Sequence, residues 1–297
     1  MTSRSRDRVA DVRSVVATHV PDYRIESVVP LGGGLDNLAY EVNGELVVRF
    51  SKEPDLARRA ALVCHEARVL AAVADISPLP VPEPAFTVAE QGCLAYRKLP
   101  GMPLLDVPRH RRSAHGTSIA ATLGELLTAL HAVPVDRLAG LVDTDHQPPA
   151  EWRHEAAENY ATVAGQVPAV HRRSVEAFLD AAPPNDGCTP TFSHNDLGIE
   201  HVLIDPDTWT VTGIIDWSDA AVVDPACDFG LLHRDLGPAA TRAAIRSYRT
   251  DAHDLAALGE RAVFYARCSV FEDLAHGIGT GQDKYVDKSL AAMEWLF

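Results

Sequence analysis

Asn43-Gly44 separates two short apolar runs, LAYEV and ELVVRF. Asn-Gly suits the paired left-handed conformations of a type I′ turn, so the two runs are expected to fold back on each other as an antiparallel hairpin. The stretch before it, YRIESVVPLGGGLDN, reads as a strand that runs into a glycine turn. Leu56 to Ala74 has apolar residues at helical spacing and is the main helix of this region. Four prolines in SPLPVPEP, Ser77 to Pro84, exclude helix there. FTVAEQGCLAYRKL then supplies two more strands about a turn at Gln91-Gly92. The charged N-terminus, MTSRSRDRVADVRS, reads as the start of an amphipathic helix.

After LPGMPL, Leu99 to Leu104, the period changes from two to that of a helix. Ser118 to Val133 is strongly amphipathic, and WRHEAAENYATVAGQV and VHRRSVEAFLDAA follow as helices. HVLIDP and VTGIIDW are two short strands. Asp224 to Leu232, Pro238 to Thr250, Asp254 to His276 and Lys284 to Leu296 complete the helical part. The pattern predicts an α+β chain of two lobes. Residues 1–98 form a small β-rich lobe with one main helix, 99–104 a connector, and 105–297 a larger, mostly helical lobe. A hydrophobic content of 46% over 297 residues suffices for cores of that size.

Lys and Arg number 27 against 41 Asp and Glu, a net charge of −14. That sign disfavours a phosphate backbone as partner and can steer a cationic small molecule. No run of 18 apolar residues predicts a membrane helix, and the N-terminus lacks the apolar core of a signal peptide. The five cysteines are odd in number, scattered and without a C-x-x-C pair. A reducing cytoplasm is the expected location, with neither disulfide nor zinc, and a monomer is the expected state.

The chemistry concentrates in FSHNDLGIEHVLID, Phe192 to Asp205. A His-x-Asp loop with a second metal-competent residue five positions after the Asp suits phosphoryl transfer, where positioning and charge neutralisation do most of the work. Asp196 would accept or orient the proton of a substrate hydroxyl, His201 would offer an imidazole nitrogen near a metal ion, and His194 would brace the loop. In IIDWSDAAVVDPACDF, Asp216 emerges at a strand end. It offers the hard oxygen that Mg²⁺ requires. Asp224-Pro225 fits a helix start, and Asp228 is expected to hold the loop through its backbone or through His194.

Two weaker signals precede these. The glycines of LGGGLDN would let backbone amides approach phosphates, although no full glycine-loop motif is present. Arg49 on a strand and Glu66 on the next helix could form the cation–glutamate pair that positions a nucleotide, with Lys52 as the competing cation.

In this order the parts resemble the aminoglycoside phosphotransferase family, macrolide kinases included, within the protein-kinase-like fold. The likeness runs from about Leu31 to the C-terminus and is strongest over FSHNDLGIEHVLID and VTGIIDWSDAAVVDPACDF. The His at the end of the first motif and the G-I-I-D continuation are most similar to the aminoglycoside 2″-phosphotransferases, whereas Trp217 is more similar to the macrolide kinases. The resemblance implies Asp196 as catalytic base and His201 and Asp216 as holders of Mg²⁺. It implies Gly32, Gly33 and Gly34 over the triphosphate of ATP or GTP, and Glu66 paired with Arg49. The backbone from Arg97 to Leu99 would bind the purine. The pattern of Arg261, Tyr265, Phe271, Glu272 and Asp273 is similar to the substrate-binding helices of the 2″ enzymes.

Most relatives carry lysine where Arg49 stands, and arginine pairs phosphate and carboxylate as a rigid fork. The commonest family motif ends in Asn where this chain has His201, whose affinity for metal would fall below roughly pH 6 to 7. Acidic groups, with Asp219, Glu272 and Asp273 as candidates, would pair the ammonium groups of an aminoglycoside-like acceptor. A macrolide or another metabolite remains the alternative acceptor, and a nucleotide-binding protein without catalysis is a third reading.

Overall fold

A computed structural model describes residues 3–33, 37–145, 147–185, 187–250 and 254–297. Asn43 and Gly44 have φ of 55° and 75°, the left-handed pair of a type I′ turn. They join β2 (Asn37–Val42) to β3 (Leu46–Ser51). With β1 (Val28–Gly33), β4 (Pro84–Val88) and β5 (Cys93–Arg97) they form an antiparallel sheet ordered β1-β2-β3-β5-β4. The chain divides into two compact units, Met1–Ile76 with Pro80–Pro100, and Ser77–Leu79 with Gly101–Phe297.

In the first unit, strand alternation decides which side chains meet which helix. Leu46, Val48 and Phe50 pack with Tyr40 and Val42 against Val12, Val15 and Val16 of α1 (Ser3–His19). Each such fully buried aliphatic side chain contributes roughly 1.5–3 kcal/mol. Arg49 therefore faces the opposite side of β3. There α2 (Leu56–Ala74) buries Val63, Val69, Leu70 and Val73, a stripe on which Glu66 also lies. Asp55 starts α2 by accepting the Arg58 N–H at 2.7 Å, which satisfies one of the free amides of the first turn.

The second unit holds the remaining helices and two small sheets. α3 (Arg109–His131) begins nine residues before the expected Ser118. Its first turns, RHRRSAHGT, are largely polar, so no apolar period marks them. α4 (Pro149–Val163) and α5 (Ala169–Asp180) follow. The two helices expected between Asp224 and Thr250 appear as α6 (Ala226–Ser247), interrupted at Gly237. Gly237 has φ of 81° and ψ of 179°, which only glycine holds readily, and Pro238 restarts the helix. α7 (Leu255–Thr280) is capped by Asp254, and α8 (Asp283–Leu296) ends the chain.

β6 (Met102–Pro103), β8 (Val202–Ile204) and β9 (Val211–Ile214) make one sheet. LPGMPL is thus more than a connector, since Met102 pairs with Ile204. β7 (Thr191–Ser193) and β10 (Ala221–Val223) pair as a ribbon that periodicity does not reveal, because three residues are too few to alternate. Among the described residues no helix is long and apolar enough to cross a membrane.

Candidate active site

The loop from His194 to His201 hangs between β7 and β8, and Asp216 stands two residues past the end of β9. Asp228, in the first turn of α6, is fully buried. One of its oxygens accepts the His194 N–H at 3.0 Å and the other the Asn195 N–H at 2.9 Å. The expectation that Asp228 holds the loop is met through the backbone. Asn195 and Asp216 both sit in the left-handed region, with φ of 65° and 63°. Asn and Asp tolerate that region better than other residues, and such strain clusters at functional sites.

His194 is completely buried. Its Nδ1 accepts the Asp196 N–H at 3.2 Å, so its proton resides on Nε2, which donates to the Ile215 carbonyl at 3.1 Å. Burial pushes its pKa down to about 4. His194 is therefore a neutral brace that ties the loop to the end of β9.

His201 reverses this arrangement. Its Nδ1 donates to the Asp196 carbonyl at 2.8 Å and lies 3.3 Å from Asp196 Oδ2. In the neutral ring Nε2 then carries the lone pair; it stands 3.8 Å from Asp216 Oδ2. Burial disfavours the imidazolium, but the carboxylates of Asp196, Glu200 and Asp216 outweigh it and raise the pKa of His201. Asp196 is half-buried. Burial raises its carboxyl above the usual range, His201 draws it back, and the charges of Glu200 and Asp219 push it up again.

The donor set fits a divalent cation held jointly with a phosphate. Asp216 Oδ2 and His201 Nε2 lie 3.8 Å apart, an oxygen and a nitrogen that could both serve such a cation. Among the described residues no group of three or more His, Cys, Asp or Glu side chains is arranged to hold a metal by itself. Mg²⁺ commonly takes one or two carboxylates and completes its shell with phosphate oxygens and water.

In the first unit, Arg49 Nη1 donates to Glu66 Oε1 at 2.7 Å, with the two side chains 12% and 14% exposed. Arg49 is thus the strand cation that meets the helix glutamate, while Lys52 is exposed just past β3. Gly32 and Gly33 pair with Ala39 and Leu38 at the end of β1. Gly34 lies outside the described residues. Arg97 ends β5 opposite Leu46, with its side chain exposed, and Leu99 is half-buried.

The three acidic acceptor candidates are placed differently. Asp219 and Glu272 are exposed. Asp273 is buried, accepting the Ser289 hydroxyl at 2.7 Å and lying 3.3 Å from Lys288 Nζ. Arg261, Tyr265 and Phe271 also turn inward. Arg261 grips both oxygens of Asp224 at 2.6 and 3.1 Å, and the Tyr265 hydroxyl donates to the same carboxylate at 3.1 Å. Asp224 also accepts the Ala226 N–H, as the expected helix start requires, but its main partners lie on α7. Sequence reasoning missed Arg234, Asp235, Glu200 and Lys288, which form a buried ion cluster beside the loop. Its only sequence signal is the pair Arg234-Asp235 interrupting an apolar stretch of α6.

Residues 27–264 match the phosphotransferase enzyme family, and the chain belongs to that family. Among curated relatives it is similar to the uncharacterized protein YcbJ of Bacillus subtilis (strain 168), 26% identical over 179 residues. That match spans 56% of each chain, about half the length of the relative. The structure is similar to the GDP complex of wild-type aminoglycoside 2′-phosphotransferase-IIIa, with a TM-score of 0.71 and 24% identity over 96% of this chain and 97% of that one. It is similar to a GDP and kanamycin complex of APH(2″)-IIIa, with a TM-score of 0.68 and 22% identity over 96% and 97% of the chains. It is also similar to a macrolide 2′-phosphotransferase from Brachybacterium faecium, with a TM-score of 0.63 and 25% identity over 94% and 96% of the chains. The fold is the kinase-like one of this family.

Proposed function

We propose that the protein transfers the γ-phosphoryl group of ATP or GTP to a hydroxyl of a cationic small-molecule antibiotic of the aminoglycoside class. The observation that carries this reading is the placing of Asp196 and Asp216 on the two sides of one imidazole, 3.3 Å from His201 Nδ1 and 3.8 Å from His201 Nε2. Such an arrangement would keep a proton acceptor and a cation ligand in one constellation, as phosphoryl transfer needs.

In this reading Asp196 takes the proton of the acceptor hydroxyl as the oxygen attacks. Burial raises its carboxyl toward neutrality, and this improves it as a base at working pH. His201 and Asp216 would hold Mg²⁺, which neutralises phosphate charge when bound. His194 and Asp228 keep the loop in register. Arg49, oriented by Glu66, Gly32 to Gly34, and the backbone of Arg97 to Leu99 would receive the nucleotide. Asp219 and Glu272, which are exposed, would meet the acceptor's ammonium groups, whereas Asp273, the third candidate, is buried against Lys288 and Ser289 and does not fit that role.

A macrolide is the second reading, favoured by the 25% identity with the Brachybacterium faecium enzyme and by Trp217 after Asp216. A nucleotide-consumption assay with Mg²⁺, running ATP and GTP in parallel against kanamycin-, gentamicin- and macrolide-type acceptors, separates the readings. Asp196→Ala is expected to lose ~10²–10⁴-fold in turnover with an unchanged circular dichroism spectrum. Full activity in that variant overturns the assignment of the base, and nucleotide binding without consumption would favour a non-catalytic protein.

A further inference from the structure

Five charged side chains lie together, almost without water, beside the loop. Lys288 of α8 places its Nζ 2.7 Å from Glu200 Oε2, 3.3 Å from Asp273 Oδ1 and 3.5 Å from Asp235 Oδ2. Its ammonium is also 4.9 Å from the ring centre of Tyr285. Arg234 pairs both oxygens of Asp235, at 2.7 and 3.0 Å, and stands 3.7 Å from Glu200. The Lys288 and Asp235 side chains are 2% and 1% exposed.

This cluster grips one short piece of backbone. Asp235 Oδ2 accepts the Ile199 N–H at 3.1 Å, and the Ile199 carbonyl accepts the Leu105 N–H at 3.1 Å. Glu200, the next residue, is held by Lys288. A Cβ on Gly198 would come within 2.7 Å of the Glu200 carboxyl group, so a side chain there would have to displace that of Glu200. Residues 198–200 make up most of the span, 197–200, between Asp196 and His201. The cluster therefore clamps the linker between the proton acceptor and the cation ligand from α6, α7 and α8.

Stability alone is a weak reason for such a cluster. Apolar side chains of similar volume often serve as well as a buried ion pair, whereas removing one partner strands an uncompensated charge. Position is the more telling property, because displacing reacting groups by about 1 Å can cost ~10²-fold in rate.

We propose that Lys288 is a positioning residue for phosphoryl transfer, acting through Glu200 and Asp235 to hold the span between Asp196 and His201. This rests on the function proposed above. The test uses the full chain carrying Lys288→Met, Glu200→Gln, or both. Two measurements are made: hydrogen exchange of the amides of residues 197–201, and kcat with the nucleotide KM.

Lys288→Met is expected to speed exchange of the loop amides about tenfold or more while leaving the middle of α3 protected. It should lower kcat by ~10–100-fold with little change in nucleotide KM. The double variant should fall no further than Lys288→Met alone, since both changes break one link. Unchanged loop exchange, unchanged kcat per folded molecule, or losses that multiply in the double variant would each overturn the proposal. Should Lys288→Met fail to fold, Glu200→Gln, which keeps the side-chain volume, is judged by the same exchange and kcat criteria. If the wild type transfers phosphoryl to no acceptor, the functional reading fails, while loop exchange still decides whether the clamp exists.

Discussion

The Nδ1 of His201 donates to the carbonyl oxygen of Asp196, five residues earlier in the chain, at 2.8 Å. One hydrogen bond thus closes the loop on itself and selects the tautomer. With the proton on Nδ1, the Nε2 lone pair can only point outward, toward Asp216. The imidazole of His201 is thus tied to the backbone of Asp196, so the ring cannot turn without breaking that bond.

His201→Ala is accordingly expected to weaken the apparent affinity for Mg²⁺ by at least ~10–100-fold. His201→Asn, which offers an oxygen, should retain more of it. Rate measured against Mg²⁺ concentration checks this, and equal behaviour of the two variants would argue against a ligand role.

Glu66→Gln neutralises the carboxylate that accepts from Arg49 Nη1 at 2.7 Å. The guanidinium then loses its fixed direction, and the nucleotide KM should rise about tenfold, roughly 1.4 kcal/mol, while the acceptor KM stays put. Arg49→Lys keeps the charge but not the planar fork, and should fall between Glu66→Gln and wild type. Steady-state kinetics with each substrate varied in turn reads both effects.

Stability should fall as the solution is acidified from about neutrality. His233 is buried, donates its Nδ1–H to Thr241 Oγ1 at 3.1 Å, and is pushed by burial, then by Arg267 and Arg242, from 6.5 down to about 4. Its folded pKa lies below its unfolded one, so the unfolded chain binds the extra proton. The stability that depends on a neutral His233 is complete above about pH 6.5 and is lost progressively as pH falls toward 4. The ceiling is about 3 kcal/mol for this group. Unfolding midpoints measured between pH 7 and pH 5 should decline less steeply in His233→Gln than in the wild type.

Gly237→Ala should destabilise the chain by about 1–3 kcal/mol, because φ of 81° with ψ of 179° is reserved for glycine. Denaturant titration reads the loss. An unchanged midpoint would mean that the break in α6 relaxes into a continuous bend.

Much of the fold was legible because its signals were local. α2 spans the expected Leu56–Ala74, set by the apolar stripe and the Asp55 cap. The hairpin at Asn43-Gly44 followed from the same kind of rule. β7 and β10 were hidden because each has only three residues. The start of α3 was hidden because it faces solvent. The heart of the site was legible too, since His194, Asp196 and His201 fall within eight positions and Asp216 ends a recognisable strand. The buried cluster was not, because Glu200, Arg234, Asp235, Asp273 and Lys288 come from a loop and three helices, and no short-range rule links them. Asp224 shows the same limit. Its role at the helix start could be read from Asp-Pro, but the Arg261 and Tyr265 that bind it stand 37 and 41 residues away.

The first turn of α6 answers to two masters. Asp224, just before it, is gripped by Arg261 and Tyr265 of α7, and Asp228, one turn on, carries the amides of His194 and Asn195. Only three residues, Pro225 among them, separate the two carboxylates. A shift of α7 would act on Asp224 and, through it, on the turn whose Asp228 holds the two residues before Asp196. Molecules that lean on α7 would thereby tug on the Asp196 loop without touching it.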